Sequence, residues 1–301
     1  MFFTVLASAI ASIITGTALV ATRFVVAQAD GLTIATLRYL VAAACLLLLV
    51  PAFHRITVAG RDIFPIAGLG LLYFGLFPWC ISSAMQFTTA SGGAIILACT
   101  PAVTLLLGKL TGSEQWSMRK GFGVAFAILG AAIAISSSGF ELTFESWRGD
   151  LLMIAATILG AIYAVYSKPF VKKYSPLTVT ALAMGAGAFG LLVLWSAAEL
   201  PLTGLPHLDN RGWLSILYIG IAGGALSFFL YAWALGRTSA TTMMILLPLN
   251  PISALFAGSI LLKETLTFEL FAGLTLVIIG IILVVGFNGA AAPEGPPGTA
   301  L

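Results

Sequence analysis

Apolar stretches of nearly uniform length alternate with short polar ones along the whole chain. They run at about 3–27, 32–53, 63–87, 93–114, 121–137, 150–167, 177–198, 212–235, 240–262 and 270–287. A helix crosses the hydrocarbon core with about 20 residues, so the pattern predicts ten transmembrane helices. The polar connections are too short to hold a sizeable extramembrane domain. The expected fold is all-α and polytopic. The first run lacks a positive n-region and is too long for a signal-peptide core, so it is expected to stay as a span.

One stretch occurs twice. Gly93 to Glu114 and Met243 to Glu264 are apolar runs with a proline near the middle. An offset of 150 residues lays Ala90 on Ala240, Ile95 on Ile245, Leu97 on Leu247 and Pro101 on Pro251. The same offset pairs Gly108 with Gly258, Glu114 with Glu264, Gly123 with Gly273 and Gly130 with Gly280. Farther out, the run starting at Leu32 matches the run starting at Leu177 with an offset of 145. Each half then holds five spans. Five is odd, so the second half enters the membrane the opposite way up, as an inverted repeat. The expected units are 3–138 and 150–287, around a central cavity, with a disordered tail over 288–301.

Composition agrees with this class. Sixty per cent of the 301 residues are hydrophobic and 8% are charged, against roughly a quarter in soluble domains. The mean hydropathy is +1.08. The net charge of +3 comes from basic residues scattered through loops, without the clustered patch that nucleic-acid binding needs. Cys45, Cys80 and Cys99 all fall inside apolar runs, are odd in number, and suggest neither a disulfide framework nor a metal site.

Lysine and arginine placement sets the expected orientation. With the N-terminus inside, Arg55, Arg61, Lys109, Arg119, Lys120, Lys168, Lys172, Lys173 and Arg237 are cytoplasmic, against Arg148, Arg211 and Lys263 outside. Both termini are then expected in the cytoplasm of a bacterial-type inner membrane.

The duplicated ten-span pattern resembles the drug/metabolite transporter superfamily, specifically its EamA-domain transporters. The marks are Thr88-Thr89-Ala90-Ser91 and Thr238-Ser239-Ala240-Thr241, the prolines at 101 and 251, and the glutamates at 114 and 264. The resemblance spans Phe3 to Phe287. It implies a basket of ten helices that moves small metabolites, often outward, and amino-acid exporters are similar proteins. One departure stands at Thr15 before Gly16, where the family often has a tryptophan.

Candidate site residues follow from chemistry at membrane depth. A proline inside a span removes one N–H and frees the carbonyl four residues back. Pro101 and Pro251 would do so in the paired spans, Pro248 would add a second freed carbonyl, and Pro78 would interrupt span three. Freed backbone is tolerated only where it faces protein or a water-filled cavity. Thr100 and Asn250 precede the paired prolines in equivalent places. An unpaired amide in hydrocarbon costs roughly 2–7 kcal/mol, so Asn250 is expected to face a cavity, a water or another helix. The aromatic candidates are Tyr73, Trp79, Tyr163 and Tyr231, with Tyr166 and Trp233 near span ends. Arg23 and Arg38 lie within spans. Either they snorkel to the outer interface, or one of them binds a substrate carboxylate or lines the outer vestibule.

No Asp, Glu or His stands at the predicted middle of a span. Proton-driven carriers commonly use such a group, so facilitated diffusion or exchange is expected, with proton coupling through a span-end glutamate as the alternative. The chain carries no HExxH, P-loop or paired carboxylates, which disfavours an enzyme. Neither cofactor nor metal is expected; the partners are a small-molecule substrate and the bilayer, the state monomer or homodimer. A membrane enzyme or scaffold is the competing class.

Overall fold

In hydrocarbon every backbone polar group must be satisfied within the protein, and continuous helices do this without strand partners. The computed structural model describes residues 2–53, 58–112, 117–136, 144–198, 207–235, 246 and 249–285. Among these the regular structure is helical throughout. The helices are α1 Phe2–Val25, α2 Gly31–Phe53, α3 Gly60–Ala84, α4 Ala90–Leu110 and α5 Met118–Ser136, then α6 Phe144–Lys173, α7 Pro176–Ala198, α8 210–235, α9 Leu249–Leu262 and α10 Phe268–Val285. Seven of them are long and apolar enough to cross a membrane by length and composition. Pro248, Glu114, the carbonyls expected free at Met244 and Leu247, the segment from Thr238 to Thr241 and the tail lie outside the described residues.

The helices alternate in direction, so their connections fall at two ends. One end carries Arg61, Lys109, Lys120, Lys172 and Lys173 and is called the basic end here; the other carries Asp30, Asp209, Glu264 and Glu269 and is the acidic end. Between them the outer surface is apolar. Leu48, Phe64, Leu110 and Phe268 are each more than 80% exposed, a composition that suits lipid and not water.

Two antiparallel helix pairs show how the halves are related. In α5 and α10, Gly130 lies against Gly273, and Gly123 against Gly280. These are the repeat mates with partners exchanged, since Gly123 corresponds to Gly273 and Gly130 to Gly280. Small residues let the two backbones close up. In α2 and α7, Trp195 Nε1 donates to Thr33 Oγ1 at 2.9 Å and Thr36 Oγ1 to the Leu191 carbonyl at 3.4 Å, while Leu47 packs beside Gly185. Corresponding helices that pack antiparallel are related by a two-fold axis across the pair. This is the arrangement that an inverted repeat requires.

Glu264, one of the sequence marks, stitches the halves at the acidic end. Its carboxylate accepts from Ala90 N at 2.9 Å, Ser91 N at 3.2 Å and Ser91 Oγ at 2.6 Å. A helix N-terminus presents unpaired N–H groups and favours a negative charge, so the second repeat caps α4 of the first. Thr89 adds a second cap, its side chain accepting from Gly92 N at 3.0 Å.

Candidate functional site

Pro101 breaks α4 as expected. Helix runs over Ala90–Leu97, turns at Ala98 and Cys99, and restarts at Thr100, with Pro101 in the first turn of the new half. The carbonyl freed by the proline is that of Leu97, and Thr100 Oγ1 donates to it at 2.5 Å. The Thr100 hydroxyl is therefore committed to repairing its own break.

The corresponding position in α9 differs. Among the described residues Asn250 Oδ1 is buried without a hydrogen-bond partner, while its backbone carbonyl accepts from Ser253 Oγ at 2.9 Å. Gly16 of α1 sits directly on this turn, and a Cβ there would come within 2.2 Å of the Asn250 carbonyl oxygen. The same kind of contact recurs in the other half, where a Cβ on Gly160 of α6 would touch the Thr100 methyl at 3.5 Å and Tyr73 at 3.8 Å. One break is closed by its own threonine. The other leaves an amide acceptor bare.

A cluster of rings lies beside the first break, where Gly160 approaches both Thr100 and Tyr73. Tyr73 stacks on Tyr163 with centroids 4.3 Å apart and planes 12° apart. Phe74 meets Tyr163 edge-on at 5.8 Å and Phe228 at 5.1 Å, and Tyr39 approaches Phe74 at 5.8 Å. Such contacts exceed simple area burial by about 0.5–1.5 kcal/mol each. Tyr73 and Tyr163 thus meet as central residues, with Phe228, Phe74 and Tyr39 added to those the sequence singled out. Tyr231, one turn beyond Phe228, and Trp79 are 39% and 38% exposed and stand outside these ring contacts.

Arg38 does not snorkel. It is 7% exposed, its Nε is buried without a partner, and its Cζ lies 5.2 Å from the Tyr39 ring. Arg23 takes the other course. It donates through Nη1 to the Met85 carbonyl and lines an open cavity of about 730 Å³ at the acidic end with Gln28, Asp30 and Gln86.

Two π-helical turns frame the ring cluster, Leu71–Leu76 in α3 and Ile221–Leu226 in α8. They stand 150 residues apart, in the register of the repeat. Pro78, expected to interrupt span three, falls in the first turn of the α-helix that follows the π turn, and the span continues through it. A π turn carries one residue more per hydrogen-bonded ring than an α turn and is found mostly at functional sites. Each packs against the opposite repeat: Gly70, just before the first, against Ala183, and Gly224 of the second against Ala42. Sequence reasoning missed the π geometry of both turns, because neither carries a proline and a π turn has no residue pattern of its own.

It also missed a pair of latches. At the basic end Ala59 N donates to Tyr174 Oη at 3.2 Å, and Lys173 and Tyr174 both donate to Asp62. At the acidic end Asp209 N donates to Gln28 Oε1 at 3.1 Å. Ala59 and Asp209 are mates at the 150 offset, and Gln28 and Lys173 at the 145 offset. The offsets were the available signal. Asp209 also caps α8, accepting from Gly212 N at 2.6 Å. That bond, with smaller help from Gln28 and Arg211 and against some desolvation, holds its carboxyl below the ordinary aspartate range.

Comparison with known proteins decides the class. The EamA-like transporter family matches residues 2–136 and 147–286, nearly the whole chain. The chain belongs to the EamA-like transporter family. A transporter of Archaeoglobus fulgidus without assigned substrate is 26% identical to this EamA-like protein over 90% of the chain and 94% of the relative. A protein of Salmonella typhimurium named "Probable amino-acid metabolite efflux pump" is 28% identical over 80% of the chain and 84% of the relative. A "Probable terminal-alkyne amino-acid exporter" of Streptantibioticus cattleyicolor is 26% identical over 74% and 73%. A crystal structure with 16% identity superposes at a TM-score of 0.67, covering 93% of this chain and 96% of the other. It shares the fold. This EamA-like protein is a multi-pass membrane transporter.

Proposed function

We propose that this transporter exports small metabolites, chiefly amino acids with apolar or aromatic side chains, by alternating access. The carrying observation is the bare Asn250 amide oxygen, held beside Pro251 in the first turn of α9, which packs on Gly16. An unpartnered buried acceptor costs about 1–3 kcal/mol. A ligand ammonium would offset that cost while it is bound, and the Tyr73–Tyr163 stack offers an apolar surface for a side chain. Two relatives named for amino-acid export support the substrate class. The latches support alternation, since one joins the repeats at each end.

Facilitated diffusion or exchange is the mode. Glu264, the one described member of the glutamate pair, is held by three donors as a helix cap and is poorly placed to carry protons. In this reading the units are 3–138 and 150–287, the termini are cytoplasmic in a bacterial-type inner membrane, and the protein works as a monomer or homodimer without catalysis. The test is counterflow in liposomes with labelled phenylalanine, leucine and other amino acids. Exchange without an imposed pH or sodium gradient is expected. Strict dependence on either gradient would remove the facilitator mode, and silence toward every amino acid would remove the substrate class.

A further inference from the structure

Arg38 is a cation without an anion. It lies seven residues into α2, about 10 Å along the helix axis from the acidic end. The residue is 7% exposed, its Nε is enclosed without an acceptor, and no described carboxylate pairs with it. Asp30, the acidic residue nearest in sequence, is committed to Leu32 N at 2.8 Å, Thr33 N at 2.9 Å and Thr33 Oγ1 at 2.5 Å. A guanidinium cannot shed its charge to escape burial. Leaving one unpaired at membrane depth is expensive, and such residues face an interior path or a ligand.

The π turn of α8 packs beside it. A Cβ built on Gly223 would lie 3.9 Å from Arg38 Nη2 and 2.8 Å from the Ala18 Cβ, so the glycine lets α8 close on α1 beside the guanidinium. The Asn250 turn packs on Gly16, two residues earlier and so on the opposite face of α1. On its other side Arg38 leads through Tyr39 and Phe74 to the Tyr73–Tyr163 stack.

We propose that Arg38 is the carboxylate-reading residue of this transporter: its guanidinium takes the cargo's carboxylate as a bidentate pair, and the rings that begin at Tyr39 take its side chain. The inference rests on the amino-acid reading above and sharpens it. The carboxylate becomes the required group and the ammonium an added one. Acids lacking the amine bind, and amines lacking the acid do not. Planar guanidinium–carboxylate pairing supplies the geometry that a lysine lacks.

Three probes with one ring separate the groups: L-phenylalanine, 3-phenylpropanoate and 2-phenylethylamine. Binding to purified full-length protein in nanodiscs is followed by calorimetry and by thermal shift. Phenylalanine is expected to bind best, phenylpropanoate more weakly, and phenylethylamine at least about tenfold more weakly than phenylalanine. Arg38→Gln loses both acids, and Arg38→Lys retains part of the affinity. Because Arg38→Gln removes an unpaired buried charge, its melting temperature without ligand equals or exceeds the parent's. Equal binding of amine and amino acid, no binding of either acid, or unchanged acid binding in Arg38→Gln would overturn the proposal. A fall in the ligand-free melting temperature would do so too, by revealing a structural partner. Counterflow is read separately. Acid binding without flux leaves the site and removes the transport reading; amine flux undiminished in Arg38→Gln does the reverse.

Discussion

Gly130 and Gly273 meet backbone to backbone: a Cβ on either would come within 2.6 Å of the other's carbonyl oxygen. The same clash awaits a Cβ on Gly280 at the Gly123 carbonyl. A side chain at any of these positions must push α5 and α10 apart. Gly130→Leu is expected to cost about 1–3 kcal/mol or more, the penalty of overpacking, and to lower the yield of folded protein. Gly60, with nothing within 4 Å of a built Cβ, is the control. Size-exclusion profiles of the two variants in mild detergent would separate them. Equal profiles would show that the close approach of α5 and α10 is dispensable.

The two broken helices should respond differently to substitution. Thr100→Val leaves the Leu97 carbonyl without its 2.5 Å partner, so stability is expected to fall by about 1–3 kcal/mol with substrate affinity little changed. Asn250→Leu removes an unpartnered atom, so the protein should fold while affinity drops by a similar amount. Pro251→Ala should express well and transport poorly, because it frees the backbone angle that the proline ring fixes beside Asn250. Melting curves beside counterflow rates check all three. Asn250→Leu with unaltered transport would make the turn a packing device.

The latches should answer to salt unequally. Lys173 and Asp62 form an exposed ion pair at the basic end, whereas Gln28 holds the acidic end through a neutral amide. Screening weakens exposed pairs, with a Debye length of about 8 Å at 0.15 M and about 3 Å at 1 M. Higher salt is expected to open the basic end and leave the acidic end alone, and Lys173→Met should mimic it at low salt. Alkylation of single cysteines placed near each end reads the populations. A matched response at both ends would disconnect the latches from the conformational balance.

Glu264 is expected to be structural. Glu264→Gln keeps the acceptor oxygen but loses the charge at the start of α4, and should cost about 0.3–1 kcal/mol; Glu264→Ala, which strands two backbone N–H groups, should cost more. Transport per folded molecule should be unchanged in both. Loss of flux in Glu264→Gln with an unaltered melting curve would return this carboxylate to proton coupling.

The spans and their inversion were legible because lipid leaves the chain few options: twenty apolar residues must be helical, and an odd number of them must turn the second half over. The break at Pro101 was legible through the missing N–H of proline. What the sequence concealed was commitment. Thr100 and Asn250 look alike as small polar residues before a proline, yet one hydroxyl folds back to Leu97 while one amide oxygen stays bare. Arg38 posed the same difficulty. Its distance from the acidic end allows snorkelling, and only the packing of α8 across α2 shows that it turns inward. The π turns carry no local signature, since they arise where a helix must follow the surface of the opposite repeat.

The two-fold axis between α5 and α10 has an energetic corollary. Were the halves identical, opening to either side would be the same event seen from opposite faces, and the two states would be degenerate. Any preference for one side must then reside in mates that are not alike. Thr100 faces Asn250 across that symmetry, Tyr73 faces Gly223, and the Lys173 ammonium faces the Gln28 amide. Exchanging Thr100 with Asn250, or Lys173 with Gln28, would tilt the balance toward the other side of the membrane.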